Sequence, residues 1–313
     1  MAKPRIYIDG QSGTTGLQIA GRIGDRNDLE LLRIDEDKRH DTEERRRFIN
    51  AADVVFLCLP DDGAREAVSL VENPDVCIID ASTAHRTAPG WTYGFPELRA
   101  GQRDAIAASK RIANPGCHAT GFISVAAPLV QVGVVPADYP LTCFSLTGYS
   151  GGGKKMIAGY EDPDRSPALD APGIYGLSLS HKHLPEMQCY AGLSEPPVFL
   201  PVVDDYYKGM ATTIMLHNGL LPCNPTTADI HACLAAHYDG QRLVHVLPLG
   251  ENGPTLYANM LSGIDSLTVI VCGNDRQTSV TALFDNLGKG ASGAAVQNMN
   301  IVLGLDEAVG LAL

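Results

Sequence analysis

One cysteine in this 313-residue chain stands apart from the other seven. Cys117 lies in the run Asn114-Pro115-Gly116-Cys117-His118-Ala119-Thr120-Gly121, where a strand-like stretch gives way to an apolar helical one. With Asn114 as the helix cap, Pro115 takes the first helical position, where its missing N–H costs nothing, and Cys117 falls in the first turn. Free N–H groups and the helix dipole favour a thiolate there, which makes Cys117 the candidate nucleophile. Cys58, Cys77, Cys143 and Cys272 sit in apolar, strand-like runs and read as small buried side chains. A sulfur nucleophile needs a proton partner, and the densest supply is His181-Lys182-His183-Leu184-Pro185-Glu186. If that segment is extended, His181 and His183 share one face. No CxxC or HxxxH accompanies them, so no metal site is expected.

The second chemical element is a glycine loop, Asp9-Gly10-Gln11-Ser12-Gly13-Thr14-Thr15-Gly16, between the first strand and the first helix. Its GxxGxxG spacing departs from GxGxxG, but the physical role survives: tight turning, close backbone approach and helix-start N–H groups facing a pyrophosphate. Gly10, Gly13 and Gly16 with the hydroxyls of Ser12, Thr14 and Thr15 are candidate cofactor-binding residues. Past the second strand, Asp35 suits a ribose hydroxyl as in NAD enzymes, while Arg33, Lys38 and Arg39 suit a 2′-phosphate; these residues alone leave both open. Ser150-Gly151-Gly152-Gly153 reads either as an anion nest or as a flexible hairpin. A glycine loop, a helix-start cysteine and a distant histidine together suggest an oxidoreductase that works through a thioester beside a nicotinamide.

These groups need two kinds of scaffold. Apolar runs at 6–9, 29–34, 54–59 and 76–80 alternate with helical segments at 13–22, 43–51 and 63–71, the pattern of a doubly wound parallel sheet. Beyond residue 115 comes one apolar helix, 117–130. Strand-like runs follow at 141–147, 197–203, 210–217, 244–247 and 267–271 with little helix between them, which predicts a large mixed sheet. The expected fold is therefore α/β: a Rossmann-type cofactor domain over 1–115, joined by a C-terminal helical tail at 290–313, and an α+β catalytic and oligomerisation domain over 116–289. Length supports two domains. A formal net charge of −12, with no basic run, argues against nucleic acid as a partner. No apolar stretch approaches the ~20 residues of a membrane span, and the N-terminus lacks a signal peptide's apolar core, so a cytoplasmic protein with reduced thiols is expected. The β-rich domain should expose a sheet face, which predicts a homodimer or homotetramer.

Read as an ordered set, Gly10–Gly16, Asp80-Ala81-Ser82-Thr83-Ala84-His85-Arg86, Asn114-Pro115-Gly116-Cys117, Thr147-Gly148-Tyr149-Ser150-Gly151-Gly152-Gly153-Lys154, residues 181–186 and Asp285-Asn286-Leu287-Gly288-Lys289-Gly290-Ala291 resemble the short-form N-acetyl-gamma-glutamyl-phosphate reductases of the semialdehyde dehydrogenase family. The resemblance spans nearly the whole chain. It departs at Tyr149 and at Gly152-Gly153-Lys154, where many relatives carry a Val-Ser-Gly-Ala-Gly-Arg type of run. It implies NADPH-dependent reduction of an acyl phosphate, with Cys117 as nucleophile and His183 as acid/base, His181 being the second choice. It places Ser150, Gly151 and Asn286 near the cofactor. Glu186 is a candidate substrate-binding residue, and so are cations near the motifs: Arg86 and Lys155 first, with Arg111 and Lys182. Rival readings are an aspartate-semialdehyde or lysine-pathway reductase of the same type and a non-catalytic NADP(H) sensor. The Ser-Cys-Thr-Thr-Asn signature of glyceraldehyde-3-phosphate dehydrogenases is missing.

Overall fold

The structure is a computed structural model that describes residues 2–313. In chain order, the elements begin with β1 (Arg5–Asp9), α1 (Thr14–Ile23), β2 (Glu30–Leu32), α2 (Thr42–Ala51), β3 (Val54–Leu57), α3 (Asp61–Ser69), β4 (Cys77–Asp80), β5 (Thr92–Tyr93), α4 (Gln102–Ala108) and β6 (Arg111–Ala113). Next come α5 (Cys117–Gln131), β7 (Thr142–Gly148), α6 (Gly153–Glu161), β8 (Gly173–Ile174), α7 (Leu184–Ala191), β9 (Val198–Asp204), β10 (Met210–His217), α8 (Thr227–His237), β11 (Val244–Val246), β12 (Leu267–Gly273), β13 (Gln277–Phe284) and α9 (Gly293–Val302). The chain divides into two compact units. The first runs to Pro96 and adds Gly101–Pro115 and Ala291–Leu311; the second comprises Glu97–Ala100, Gly116–Gly290 and the last two residues.

The first unit is built on a parallel sheet in the order β2-β1-β3-β4-β6-β5. Period-two alternation divides its side chains: Ile6, Ile8, Phe56 and Ile79 pack on α1 and α9, and Tyr7, Val55, Leu57 and Ile78 pack with α2 and α3. Burial on both faces is why β3 reads as an unbroken apolar run. The strand order reverses between β1 and β3, and at such a switch point ligands bind beyond the carboxyl ends of the strands.

The second unit carries a seven-stranded mixed sheet, β11-β12-β13-β10-β7-β9-β8. The predicted strands are present with small shifts at their ends. β13, which the sequence reading did not predict, lies inside the sheet between β12 and β10. Its start, Gln277-Thr278-Ser279, is too polar to stand out as a buried strand. The expectation of little helix is also corrected: α6, α7 and α8 lie between the strands, and α8 opens with a capping box formed by Thr226 and Asp229. Helix α5 is apolar all round and buried from His118 through Leu129. It approaches the sheet so closely that a Cβ on Gly121 would lie 2.4 Å from Thr212 Oγ1. The tail is helical only over α9, after a π-helical turn at Gly288–Ser292; beyond Leu303 it runs in turns. No described helix is long and apolar enough to cross a membrane.

A fully buried ion pair anchors the π-helical turn. Lys289 Nζ donates to both carboxylate oxygens of Glu97 at 2.9 and 2.8 Å, and neither side chain is exposed to solvent. Removing one partner strands a desolvated charge. The Lys289→Met variant should lose ~3–5 kcal/mol of unfolding free energy in urea titration, whereas Glu97→Gln with Lys289→Met together should recover part of that loss.

Candidate active site

At the switch point of the first unit, Gly10 turns with φ +84° and a Cβ there would lie 2.4 Å from the Cys58 carbonyl oxygen. A Cβ on Gly16 would meet Gly10 O at 2.7 Å and Gln11 O at 2.8 Å. The loop therefore requires glycine at both positions, for close backbone approach. Gly13 caps α1 without a side-chain bond to its first-turn N–H groups, and Ser12, Thr14 and Thr15 flank that helix start. This is a cradle that fits a dinucleotide pyrophosphate. Just behind it, Arg45 of α2 holds the buried Asp9 carboxylate at 3.0 Å; burial still raises the Asp9 pKa above the usual carboxylate range.

The strand-to-helix junction that delivers Cys117 is bound on every side. Asn114 is not the cap expected from the sequence. Its N–H bonds to Asp80 O and continues the β6 ladder, its side chain donates to Ala291 O and accepts from Asn298, and Gly116 caps α5 instead. Cys117 is the first residue of the helix, so it stays in the first turn. Arg86, a candidate substrate cation, is buried; its guanidinium donates to the carbonyls of Asn114 and Ala81, both at 3.1 Å. Arg111 likewise bonds the Val76 and Lys110 carbonyls, while Lys155 lies exposed on α6 and Lys182 is exposed beside the histidines.

In the second unit, residues 181–183 form a turn rather than a strand, because α7 begins at Leu184 with His183 at its cap and Pro185 in its first turn. Glu186, one turn into α7, is buried and its Oε1 accepts the Gly116 N–H at 2.8 Å. The carboxylate thus joins the start of α7 to the start of α5 and holds His183 and Cys117 in one corner. The His181 and His183 rings meet edge to face at 4.8 Å, and His181 Nδ1 accepts the His183 N–H, which leaves the proton of a neutral His181 on Nε2. The π-helical turn closes the other side: a Cβ on Gly290 would lie 3.1 Å from that of Cys117. Cys117 is partly exposed, whereas burial pushes the Cys77 thiol up to about 11 and those of Cys58 and Cys143 higher still.

Two residues of this corner were not singled out from the sequence. His118, next to the cysteine, is buried with Nδ1 2.8 Å from Ser145 Oγ and Nε2 2.7 Å from the Tyr175 hydroxyl. A polar side chain just inside an apolar helix was the one available signal; nothing local marks Tyr175. The serine–glycine run is neither a hairpin nor a simple nest but a 3₁₀ turn leading into α6. In it the Tyr149 and Ser150 N–H groups bond the Tyr206 and Tyr207 carbonyls. Ser150 Oγ accepts from Asn286, whose Oδ1 accepts the Gly209 N–H, and Gly151 adjoins the same amide.

Burial first, and then the positive charges of His181 and Lys182, lower the His118 pKa from its ordinary 6.5 to about 3. The native state therefore binds fewer protons than the unfolded chain between those values. The associated stability is complete above pH 6.5 and is lost as pH falls toward 3. At about 1.4 kcal/mol per pH unit, the loss reaches a few kcal/mol. Urea unfolding at pH 7, 5 and 4 should show a steeper decline for the wild type than for His118→Gln, and equal slopes would refute the assignment.

The model of the semialdehyde dehydrogenase NAD binding domain matches residues 5–108, and that of the semialdehyde dehydrogenase dimerisation domain matches residues 117–286. N-acetyl-gamma-glutamyl-phosphate reductase 2 of a Nostoc species is 47% identical over 99% of this chain and 100% of its own, and the Pseudomonas putida protein of the same name is 48% identical with the same coverage. Among solved structures, aspartate semialdehyde dehydrogenase II of Vibrio cholerae superposes with a TM-score of 0.71 over 97% of this chain and 99% of its own, at 15% identity. The Candida albicans aspartate semialdehyde dehydrogenase, solved with NADP, gives 0.65 over 96% and 99%, at 14%. Identities that low establish the shared fold alone, while the full-length match at nearly half identity establishes kinship: this chain belongs to the N-acetyl-gamma-glutamyl-phosphate reductases, within the semialdehyde dehydrogenase family.

Proposed function

We propose that this chain catalyses the NADPH-dependent reduction of N-acetyl-L-glutamyl 5-phosphate to N-acetyl-L-glutamate 5-semialdehyde, a step of arginine biosynthesis, through a thioester on Cys117. The observation that carries this is the full-length similarity to curated proteins of that name. The geometry suits it, with a helix-start thiol and a buried histidine held in one corner by Glu186.

In this mechanism the Cys117 thiolate attacks the acyl carbon, the carbon–oxygen bond to phosphate breaks, and inorganic phosphate leaves. A reduced nicotinamide cofactor, its pyrophosphate held by the glycine loop, would supply the hydride when bound. His183 protonates the resulting alkoxide and takes the proton back as the thiohemiacetal collapses, which releases the aldehyde and restores the thiolate; such acid/base help is typically worth about 10²- to 10⁴-fold. His181 is the second candidate for that role. The Cys117 N–H at the helix start offers a donor to the oxyanion. The cradle of Gly10, Ser12, Gly13, Thr14, Thr15 and Gly16 would take the pyrophosphate; in the second unit Asn286 donates to Ser150 Oγ, and these two with Gly151 are the further residues that the family resemblance assigns to the cofactor. The family resemblance favours the phosphorylated cofactor, and Arg33 and Lys38, exposed just past β2, are the cations available to its 2′-phosphate. Lys155 and Lys182 are the exposed cations for substrate phosphate and carboxylate; Arg86 contributes by fixing the junction ahead of Cys117. The protein works in the cytoplasm as a homodimer or homotetramer. Val198, Leu200 and Met215, exposed on the second sheet, supply apolar surface for that assembly.

Run in reverse, purified enzyme should reduce NADP⁺ with N-acetyl-glutamate 5-semialdehyde only when phosphate is present, faster than with NAD⁺ or with aspartate semialdehyde, and Cys117→Ala should abolish turnover. Preference for aspartate semialdehyde would replace the substrate assignment. Cofactor binding without turnover of either aldehyde would point to a sensor instead.

A further inference from the structure

The mechanism draws on Arg86 alone from the segment 80–86, yet the residues before it form a polar site of their own in the first unit. Asp80, the last residue of β4, is fully buried. Its Oδ1 accepts the Ser82 N–H at 2.8 Å, and its Oδ2 accepts the Ser82 hydroxyl at 2.8 Å and bonds His85 Nδ1 at 2.6 Å. The His85 ring lies flat on Trp91, with centroids 4.1 Å apart and planes 12° from parallel. A carboxylate thus holds one edge of the ring and an indole one face. The loop that carries it is fixed as well: Thr83 donates its N–H and its hydroxyl to Asp61 at the start of α3, at 3.0 and 2.6 Å, and Arg86 bonds the Ala81 carbonyl.

This arrangement leaves one atom for use. The Asp80 carboxylate only accepts, so His85 carries a proton on Nδ1, and the neutral ring presents the lone pair of Nε2. Nε2 has no hydrogen-bond partner among the described residues and is not sealed from solvent, the side chain being 12% exposed. Strand register gives its place. Asp9 pairs with Leu57 and Leu57 with Asp80, so the glycine loop and the His85 loop leave the sheet from one row, two strand spacings or about 10 Å apart. A dinucleotide bound across the switch point has its pyrophosphate at the glycine loop and its adenosine ribose beyond β2, so its other half extends over β3 and β4. A lone pair there is repelled by phosphate oxygens and suits a ribose hydroxyl.

We propose that His85 is a further cofactor-binding residue, whose Nε2 accepts a hydroxyl of the nicotinamide ribose, and that Asp80 is the positioning residue that fixes the tautomer of the ring. This rests on the cofactor reading of the first unit and is independent of the acyl substrate and of Cys117.

Binding tests it without turnover. In titration calorimetry of the full chain, His85→Phe should bind NADPH ~3- to 10-fold more weakly, the worth of one neutral hydrogen bond, while adenosine 2′,5′-bisphosphate, which lacks the nicotinamide ribose, should bind both proteins alike. The phenyl ring keeps the stack on Trp91, and the unchanged fragment reports an intact crevice. In wild type labelled with nitrogen-15 histidine, the resonances absent from His85→Phe should show a neutral ring protonated on Nδ1 at pH 8. Its Nε2 resonance should move when NADP⁺ binds and stay when the fragment binds. In Asp80→Asn the Ser82 N–H holds the amide oxygen on its own side, so the amide nitrogen donates to the ring and the ring proton should pass to Nε2. Unchanged affinity of His85→Phe for NADPH, or an equal loss for NADPH and the fragment, overturns the contact. A ring still protonated on Nδ1 in Asp80→Asn overturns the role of Asp80. If the wild type prefers NADH, the same comparisons are made with NADH and adenosine 5′-phosphate and are judged in the same way. A wild type that binds neither dinucleotide overturns the cofactor reading and this role together.

Discussion

The site depends on one hydrogen bond, from the Gly116 N–H to the buried carboxylate of Glu186. A free N–H at a helix start and a carboxylate near the start of another helix are both favoured by the helix dipoles, and a charge-assisted bond between them fixes two helices with one contact. Because Cys117 follows Gly116 and His183 lies three residues before Glu186, this bond also fixes the proposed nucleophile relative to its proposed proton partner. Pro185 helps by fixing the start of α7 beside it. Neither helix end could shift by a residue without breaking the pair.

Around that bond the protein sorts its ionisable groups by burial. Thiols placed in sheet cores are pushed far above neutrality and stay inert, and the one at a helix start keeps access to solvent. Of the three histidines in the corner, His118 is desolvated enough to serve as a neutral hydrogen-bonding ring, which is why the proposed proton transfer is assigned to His183 or His181. Buried charges elsewhere are paired, Lys289 with Glu97 and Asp9 with Arg45. Both pairs hold segments that adjoin candidate site residues, the glycine loop and the turn packed on Cys117, so the charges serve position more than net stability.

Much of this was legible in the residues. The parallel sheet showed as continuous apolar runs because both faces are covered, the glycine loop was visible because its backbone admits only glycine at Gly10 and Gly16, and Cys117 stood out by its place at a helix start. What stayed hidden arises from tertiary pairing. β13 has a polar start that mimics a loop, and its place inside the sheet comes from partners distant in sequence. The charge of Arg86 made it a candidate substrate cation, while its bonds to the carbonyls of Asn114 and Ala81 come from tertiary structure that the sequence does not show. The conformation at His181 was left open between an extended run and a loop, because the helix start at Leu184 lacks a Ser, Thr, Asp or Asn cap that would mark the turn before it. Tyr175 and Ser145 come from separate strands and loops and meet only around His118.

The central claim is that the acyl group passes through the sulfur of Cys117. The direct measurement is to mix the protein with N-acetyl-glutamyl 5-phosphate without cofactor, quench in acid and map the peptides by mass. The account predicts an N-acetyl-glutamyl adduct on the Cys117 peptide, absent from Cys117→Ala and discharged to the semialdehyde when NADPH is added before the quench. Turnover by an enzyme that never carries the adduct, or an adduct that persists in Cys117→Ala, would contradict it.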